Sequence, residues 1–184
     1  MPNLLDKRKI SYKDRPILFI DLETTGLDED IHEIIEIAAL IVHQPGLTVA
    51  NSYYTKIIPQ HIESADPKSL KILNYSPKDW QDAIPLKQAL TELSLLAPDS
   101  ILAGWSVQTE WDFLNAAVKQ LDLPYFYTHR LLEVYTLAFS KLRHLPELNY
   151  LNLPSVARHL GIHLDQHKPD SDIRATFEIF KKLV

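Results

Sequence analysis

Between residues 16 and 30 the chain reads PILFIDLETTGLDED, and the apolar run through Ile20 leads directly into Asp21 and Glu23. Alternate side chains of a strand share a face, so these two acids would lie together with Ile17 and Phe19, while Leu18, Ile20 and Leu22 point the other way. Two carboxylates at the end of a hydrophobic strand raise each other's pKa by desolvation and repulsion unless a cation or hydrogen-bond donors compensate. A hard divalent cation meets that need. The same letters also fit a strand that stops at Leu22, with both acids in a solvated loop.

Two further acids repeat the pattern on helices. Glu110 shares a stripe with Leu114, Ala117, Val118 and Leu121, and Asp172 lines up with Thr176, Ile179, Phe180 and Leu183, the spacing of a buried helical face. Acids also favour first helical turns because of the macrodipole, and Asp170 fits an N-cap in that way. If the four carboxylates meet at the ends of buried elements, they form the oxygen-rich setting that holds two divalent ions.

The elements that must position them follow from the hydrophobic pattern. Strands are expected at Ile17 to Leu22, from Ile34 (IIEIAALIV), from Val49 (VANSYYTKI), in SILAG, and at Arg130 to Val134. Helices are expected near Ser69 to Leu73, Pro85 to Leu96, Thr109 to Gln120, Tyr135 to His144, Leu153 to Leu160 and Asp170 to Leu183. Strands early and helices later, with βαβ alternation between, make an α/β layered fold. With 184 residues, 46% of them hydrophobic, one domain with a substantial core is expected.

Composition narrows the function classes. No apolar run has the length of a membrane span or secretory signal, so a cytoplasmic protein without membrane contact is expected. The absence of cysteine excludes disulfides, thiolate metal sites and cysteine nucleophiles. A formal charge of -5 argues against coating duplex DNA and confines any nucleic-acid contact to a small local site. The dense positive stretch Lys7, Arg8, Lys9, Lys13 and Arg15 reads as a solvated tail.

Three ordered motifs resemble the DEDDh 3′-to-5′ exonucleases, the group that includes epsilon-like proofreading subunits, ribonuclease T and oligoribonuclease. FIDLETTGL is similar to their first motif. HKPDSDIRAT places His167 and Asp172 at the His-x-x-x-x-Asp spacing of the third. ILAGWSVQTEWDFL resembles the second, with Trp105 and Ser106 where the family has His-Asn, Thr109 where it has Phe, and Glu110 where it has the metal-associated Asp. Asp112 is turned about 200° from Glu110 on a helix and is not taken as the ligand.

The resemblance covers roughly residues 16 to 184. It implies a ribonuclease H-like domain there, with a central mixed five-stranded sheet flanked by helices, preceded by an N-terminal extension over residues 1–15. It implies two ions, Mg²⁺ or Mn²⁺, with Asp21, Glu23, Asp172 and Glu110 as the metal-binding set and Asp21 shared between the ions. His167 is then the general base, suited by a pKa near neutrality. Thr24 and Leu27 are implied contacts of the terminal nucleotide, and Trp105 offers a stacking surface. Single-stranded DNA or RNA 3′ ends are the implied substrates, nucleoside 5′-monophosphates the product, and a replication or repair protein the implied partner.

Other readings remain beside this one. A non-catalytic module of the same fold would bind nucleic acid or a polymerase without shortening a strand, and a metal phosphohydrolase would act on small nucleotides. His159, His163 and His167 recur every four residues, but Gly161 should end that helix. QLDLP at Gln120 is similar to a sliding-clamp peptide, yet Leu121 belongs to the buried stripe, so core packing is expected.

Overall fold

A computed structural model describes residues 10–165 and 168–184. Among them, five strands form one mixed sheet: β1 (Ile17–Thr24), β2 (Ile34–His43), β3 (Thr48–Lys56), β4 (Ser100–Gly104) and β5 (Tyr127–Glu133). The spatial order is β3-β2-β1-β4-β5, with β1–β2 and β2–β3 antiparallel and β1–β4 and β4–β5 parallel. Among the described residues, six α-helices accompany it: α1 (Pro67–Ile72), α2 (Leu86–Leu96), α3 (Gln108–Gln120), α4 (Val134–Leu142), α5 (Leu153–His159) and α6 (Pro169–Leu183).

Strand alternation divides the hydrophobic residues into two cores. Leu18 and Ile20 point into a core shared with Leu90 and Leu93 of α2 and Phe113, Leu114 and Val118 of α3. Ile17 and Phe19 point into a core built with Val134 and Ala138 of α4, Val156 of α5 and Ile173 and Phe177 of α6. The β1 backbone is therefore sandwiched, and residues Ile17 to Ile20 are all buried. The Phe19 ring lies 5.3 Å from Phe177 and 5.4 Å from Phe180, both edge-on, so one aromatic side chain of β1 fixes where α6 docks.

Several boundaries differ from the sequence expectations, each for a local reason. β1 continues through Thr24 because Leu22, Glu23 and Thr24 still pair with β2, so the acids are strand residues and not a solvated loop. β5 begins at Tyr127, earlier than expected, because Ser100 of β4 pairs with it. Lys168 is the N-cap of α6, with Pro169 at the first helical position. Asp170 is thus inside the first turn, ion-paired with Arg174 at 2.9 Å, and does not cap the helix. α5 ends before Gly161, whose φ is +67°, as a left-handed stop requires. Arg15 is also no solvated tail residue: it is half-buried and its Nη1 donates to the Asp99 carbonyl at 2.7 Å. Lys7, Arg8 and Lys9 lie outside the described residues.

Candidate active site

β1 outlasts its parallel neighbour. Pairing with β4 runs from Ile17 to Phe19, and β4 ends at Gly104, where an added Cβ would lie 3.1 Å from the Ile20 carbonyl oxygen. The missing side chain lets the two backbones meet closely just before β1 presents Asp21. Asp21 and Glu23 stand on the Phe19 side of the strand, opposite Ala38 and Glu36 of β2. α6, held by the Phe19 contacts, brings Asp172 in its first turn to this end of the sheet. α3 brings Glu110 from the other side, in its first turn and buried with Phe113, Leu114, Ala117 and Val118, while Leu121, expected in the same stripe, is the C-cap and only half-buried. Asp112 is directed elsewhere and accepts from Gln108 Nε2 at 2.9 Å.

The acids act strongly on one another. Burial pushes Asp21 well above the ordinary carboxylate range, and Glu110, Glu23, Asp172 and Glu36 add repulsion in that order. Glu23 is raised to about 7 by burial, then by Glu36 and Asp172. Glu110 is raised to about 8, chiefly by burial; its own backbone N–H draws it down, while Glu133 and Glu23 push it up. Glu110 is only 8% exposed, and its Oε2 has no hydrogen-bond partner among the described residues. Such an oxygen costs free energy until something positive or protic meets it. The acids are near enough to perturb each other without forming a finished cage: among the described residues, no three Asp, Glu or His side chains converge as a ligand group. A hard oxygen donor set, mutual repulsion and an orphaned buried oxygen fit a divalent cation.

Sequence reasoning missed two acids that shape this site. Glu36 is 7% exposed on β2, faces Glu23 across the antiparallel pair, and accepts a 2.6 Å hydrogen bond from the Tyr54 hydroxyl. Its signal was a lone acid within the apolar run IIEIAALIV. Glu133, at the end of β5, caps α4 by accepting from Tyr135 N at 3.0 Å and accepts from Ser106 N at 2.9 Å. That second bond holds Ser106 in a left-handed conformation, φ 63°, immediately ahead of α3. Glu133 therefore positions the turn that delivers Glu110. An acid preceding a helix was visible as an N-cap; its reach to Ser106 was not.

The expected substrate contacts fall into different surroundings. The Thr24 hydroxyl donates to the Gly26 carbonyl at 2.6 Å, while Leu27 is 85% exposed just beyond the acids. Gly26 leaves no room for a side chain because a Cβ there would run into the His32 ring. Trp105 is half-buried, packed on the α4–α6 core and edge-on to Tyr135 at 6.0 Å. His167 lies outside the described residues. A cleft of about 580 Å³ opens beside Glu23 and Glu36, with Tyr54, Trp80 and Lys168 among its walls. Lys56, also in that wall, lies 4.2 Å over the Trp80 ring and donates to the Asp79 carbonyl at 2.8 Å.

Known proteins resemble this chain along most of its length. A family model described as exonuclease, of the RNase T type, matches residues 18–180. The PolC-type DNA polymerase III of Thermotoga maritima is 28% identical over 180 residues, which are 95% of this chain and 12% of that polymerase. The oligoribonuclease of Coxiella burnetii is 29% identical, with 92% of each chain covered. Among solved structures, E. coli Exonuclease I in complex with a dT13 oligonucleotide superposes with a TM-score of 0.77 at 15% identity, over 91% of this chain and 40% of that one. The nuclease domain of 3′hExo, a DEDDh family member bound to rAMP, gives 0.71 at 18% identity, over 94% and 92% of the two chains. At those identities the superpositions establish the ribonuclease H-like fold, and the family match extends from β1 into the last turns of α6. The chain belongs to the exonuclease family.

Proposed function

We propose that this chain is a metal-dependent 3′-to-5′ exonuclease that removes nucleoside 5′-monophosphates from single-stranded DNA or RNA. The observation that carries the reading is the repulsion focused on Asp21 by Glu110, Glu23 and Asp172, acids delivered by three separate elements. A fold bears such a cluster where function requires positive charge to be gathered. Asp21, Glu23 and Asp172 hold Mg²⁺ or Mn²⁺, and Glu110 contributes from α3. Bound there, the ions supply Lewis acidity and charge neutralisation at the scissile phosphate.

The remaining work falls to the chain's own residues. His167, five positions before Asp172, accepts the proton of the attacking water. Leu27 wedges against the terminal base, and the Thr24 hydroxyl meets the sugar after leaving the Gly26 carbonyl. The Trp105 edge flanks the entering strand. The cleft beside Glu23, within the size range of small-ligand pockets, receives the terminal nucleotide. Engagement of a few 3′-terminal nucleotides reconciles the net charge of -5 with a polyanion. A replication or repair complex is the proposed setting, since one relative is a DNA polymerase III.

The test is incubation with 3′-labelled and 5′-labelled single strands, with and without Mg²⁺ or Mn²⁺. Stepwise shortening from the 3′ end that needs the ion and disappears in Asp21→Ala supports the exonuclease. Binding without shortening supports a non-catalytic module, and hydrolysis of small nucleotides alone supports a phosphohydrolase.

A further inference from the structure

A second cleft, about 920 Å³, lies along the β5 edge of the sheet and includes none of the acids of the proposed catalytic group. One wall is a single face of α3, where Trp111, Asn115 and Lys119 follow one another at intervals of four residues. That face is about 12 Å long at 1.5 Å per residue, and it begins one residue after Glu110. The opposite wall comes from the entry into β5 and from the strand itself. Arg15, with Tyr12, closes the end by the start of β1. Its strand residues, Ile101 of β4 and Tyr127 to Arg130 of β5, come from the early parts of strands that run parallel toward Gly104 and Glu133, so the cleft lies toward the end of the sheet away from the acids, with α3 leading to it from Glu110.

Its chemistry differs from the rest of an acidic protein. Aromatic rings line it as a connected set: Trp111 lies 5.4 Å from Tyr127, and Tyr127 lies 5.7 Å from Tyr125. Tyr125 is 41% exposed and Tyr12 is 65% exposed, so both present surface to solvent along the cleft. Arg15, Lys119 and Arg130 contribute positive charge against the single acid Asp99. Lys119 and Arg130 are exposed and carry no ion pair among the described residues. Open aromatic faces interleaved with cations are the means by which proteins hold unpaired bases and their phosphates. A duplex, whose bases are already stacked on one another, has no use for the rings.

We infer that the β5-edge cleft binds the upstream part of a single-stranded nucleic acid whose 3′ end lies at the carboxylates. Tyr125 and Tyr12 provide stacking surfaces, and Lys119 and Arg130 meet phosphates. This rests on the reading of nucleic acid as the substrate. It adds a separate anchoring site that gives long strands an advantage over dinucleotides.

The experiment compares the parent protein with Lys119→Glu/Arg130→Glu and with Tyr125→Ala, all changes at exposed positions. Binding of a 5′-fluorescein-labelled dodecanucleotide is read by anisotropy in EDTA across a salt series, and turnover of the dodecanucleotide and of a dinucleotide is read with Mg²⁺. The double variant should bind the dodecanucleotide about tenfold or more weakly at low salt, with a log–log salt slope shallower by about 1.4 for two lost phosphate contacts. Tyr125→Ala should lose about fivefold or more, the loss of one stacked base. The rise in KM should be confined to the dodecanucleotide. A parent that fails to bind the dodecanucleotide, or variants with parental affinity and salt slope, overturns the proposal. A variant that instead changes the oligomeric state by light scattering overturns it in favour of a second copy of the chain. If binding responds as expected but the parent cleaves neither substrate, the exonuclease reading fails while the cleft stands.

Discussion

Replacing Glu110 by glutamine keeps the side chain's size and removes its charge, which tests directly how unfavourably that charge is placed. The carboxyl titrates at about 8 in the folded protein, against an ordinary 4.5, mainly because it is buried. Between those values the native state holds a proton that the unfolded chain has released, so stability falls as pH rises through this window. The deficit is absent below the unfolded value and complete above the folded one. A displacement of about 3.5 pH units at 1.36 kcal/mol each sets an upper limit of roughly 5 kcal/mol. Glu23 and Asp21 compete for the same protons, and the group titrates as a set, so Glu110→Gln should recover about 3 kcal/mol at about pH 9. For a chain of this size that is a rise in Tm of roughly 6–12 °C. Thermal unfolding in EDTA at about pH 5 and about pH 9 measures it; near pH 5 the two proteins should agree within about 1 kcal/mol. Added Mg²⁺ should then raise the parent's Tm more than the variant's and release protons into a weakly buffered solution. Equal Tm differences at both pH values, or a lower Tm for the variant at high pH, would refute the placement of a disfavoured charge at Glu110.

Asp21→Ala and Asp172→Ala should each abolish ion-dependent shortening of a labelled strand while circular dichroism stays that of the parent, because the Phe19–Phe177 docking is untouched. His167→Ala should lose about tenfold to ten-thousandfold in kcat, the range of a general base; parental speed would assign proton removal to another group. Gly26→Ala should lower stability by about 1–3 kcal/mol in urea unfolding, since its Cβ meets the His32 ring. Gly46→Ala, with its nearest contact at 3.8 Å, serves as the control and should change stability by less than about 0.5 kcal/mol.

What was legible in the sequence was whatever a single element determines. Strand alternation put Asp21 and Glu23 on one face, and helical spacing put Glu110 at the head of a buried stripe, without knowledge of what lay opposite. Glu36 escaped because its importance depends on register: a one-residue slip of β2 would turn it to the other face, and the pairing is broken by a bulge at Glu23/Thr24. Glu133 escaped for a related reason, since Ser106 comes within its reach only when β4 and β5 lie side by side. The aromatic cleft needs the same adjacency, together with the position of α3 over that edge. Each was invisible because its partners are distant in the chain and joined by strand order.

The placement of the acids also explains why so much apolar material surrounds them. Like charges held close together push their supporting elements apart, and an exposed edge strand or a short helix would yield by swinging its carboxylate into water. β1 cannot yield in that way. Its Ile17–Phe19 stretch has hydrogen-bonded neighbours on both sides and a core against each face, and the acids beyond it stay paired to β2. Among the described residues α3 and α6 are the two longest helices, and each buries five or more residues. Their first turns are consequently held close to β1, and Asp21, Glu23 and Glu110 respond through raised pKa rather than by moving apart. The proposed ion would therefore relieve repulsion among acids already held near one another, and would still have to draw them together as ligands. The held repulsion lowers stability at high pH, the loss that Glu110→Gln should reverse.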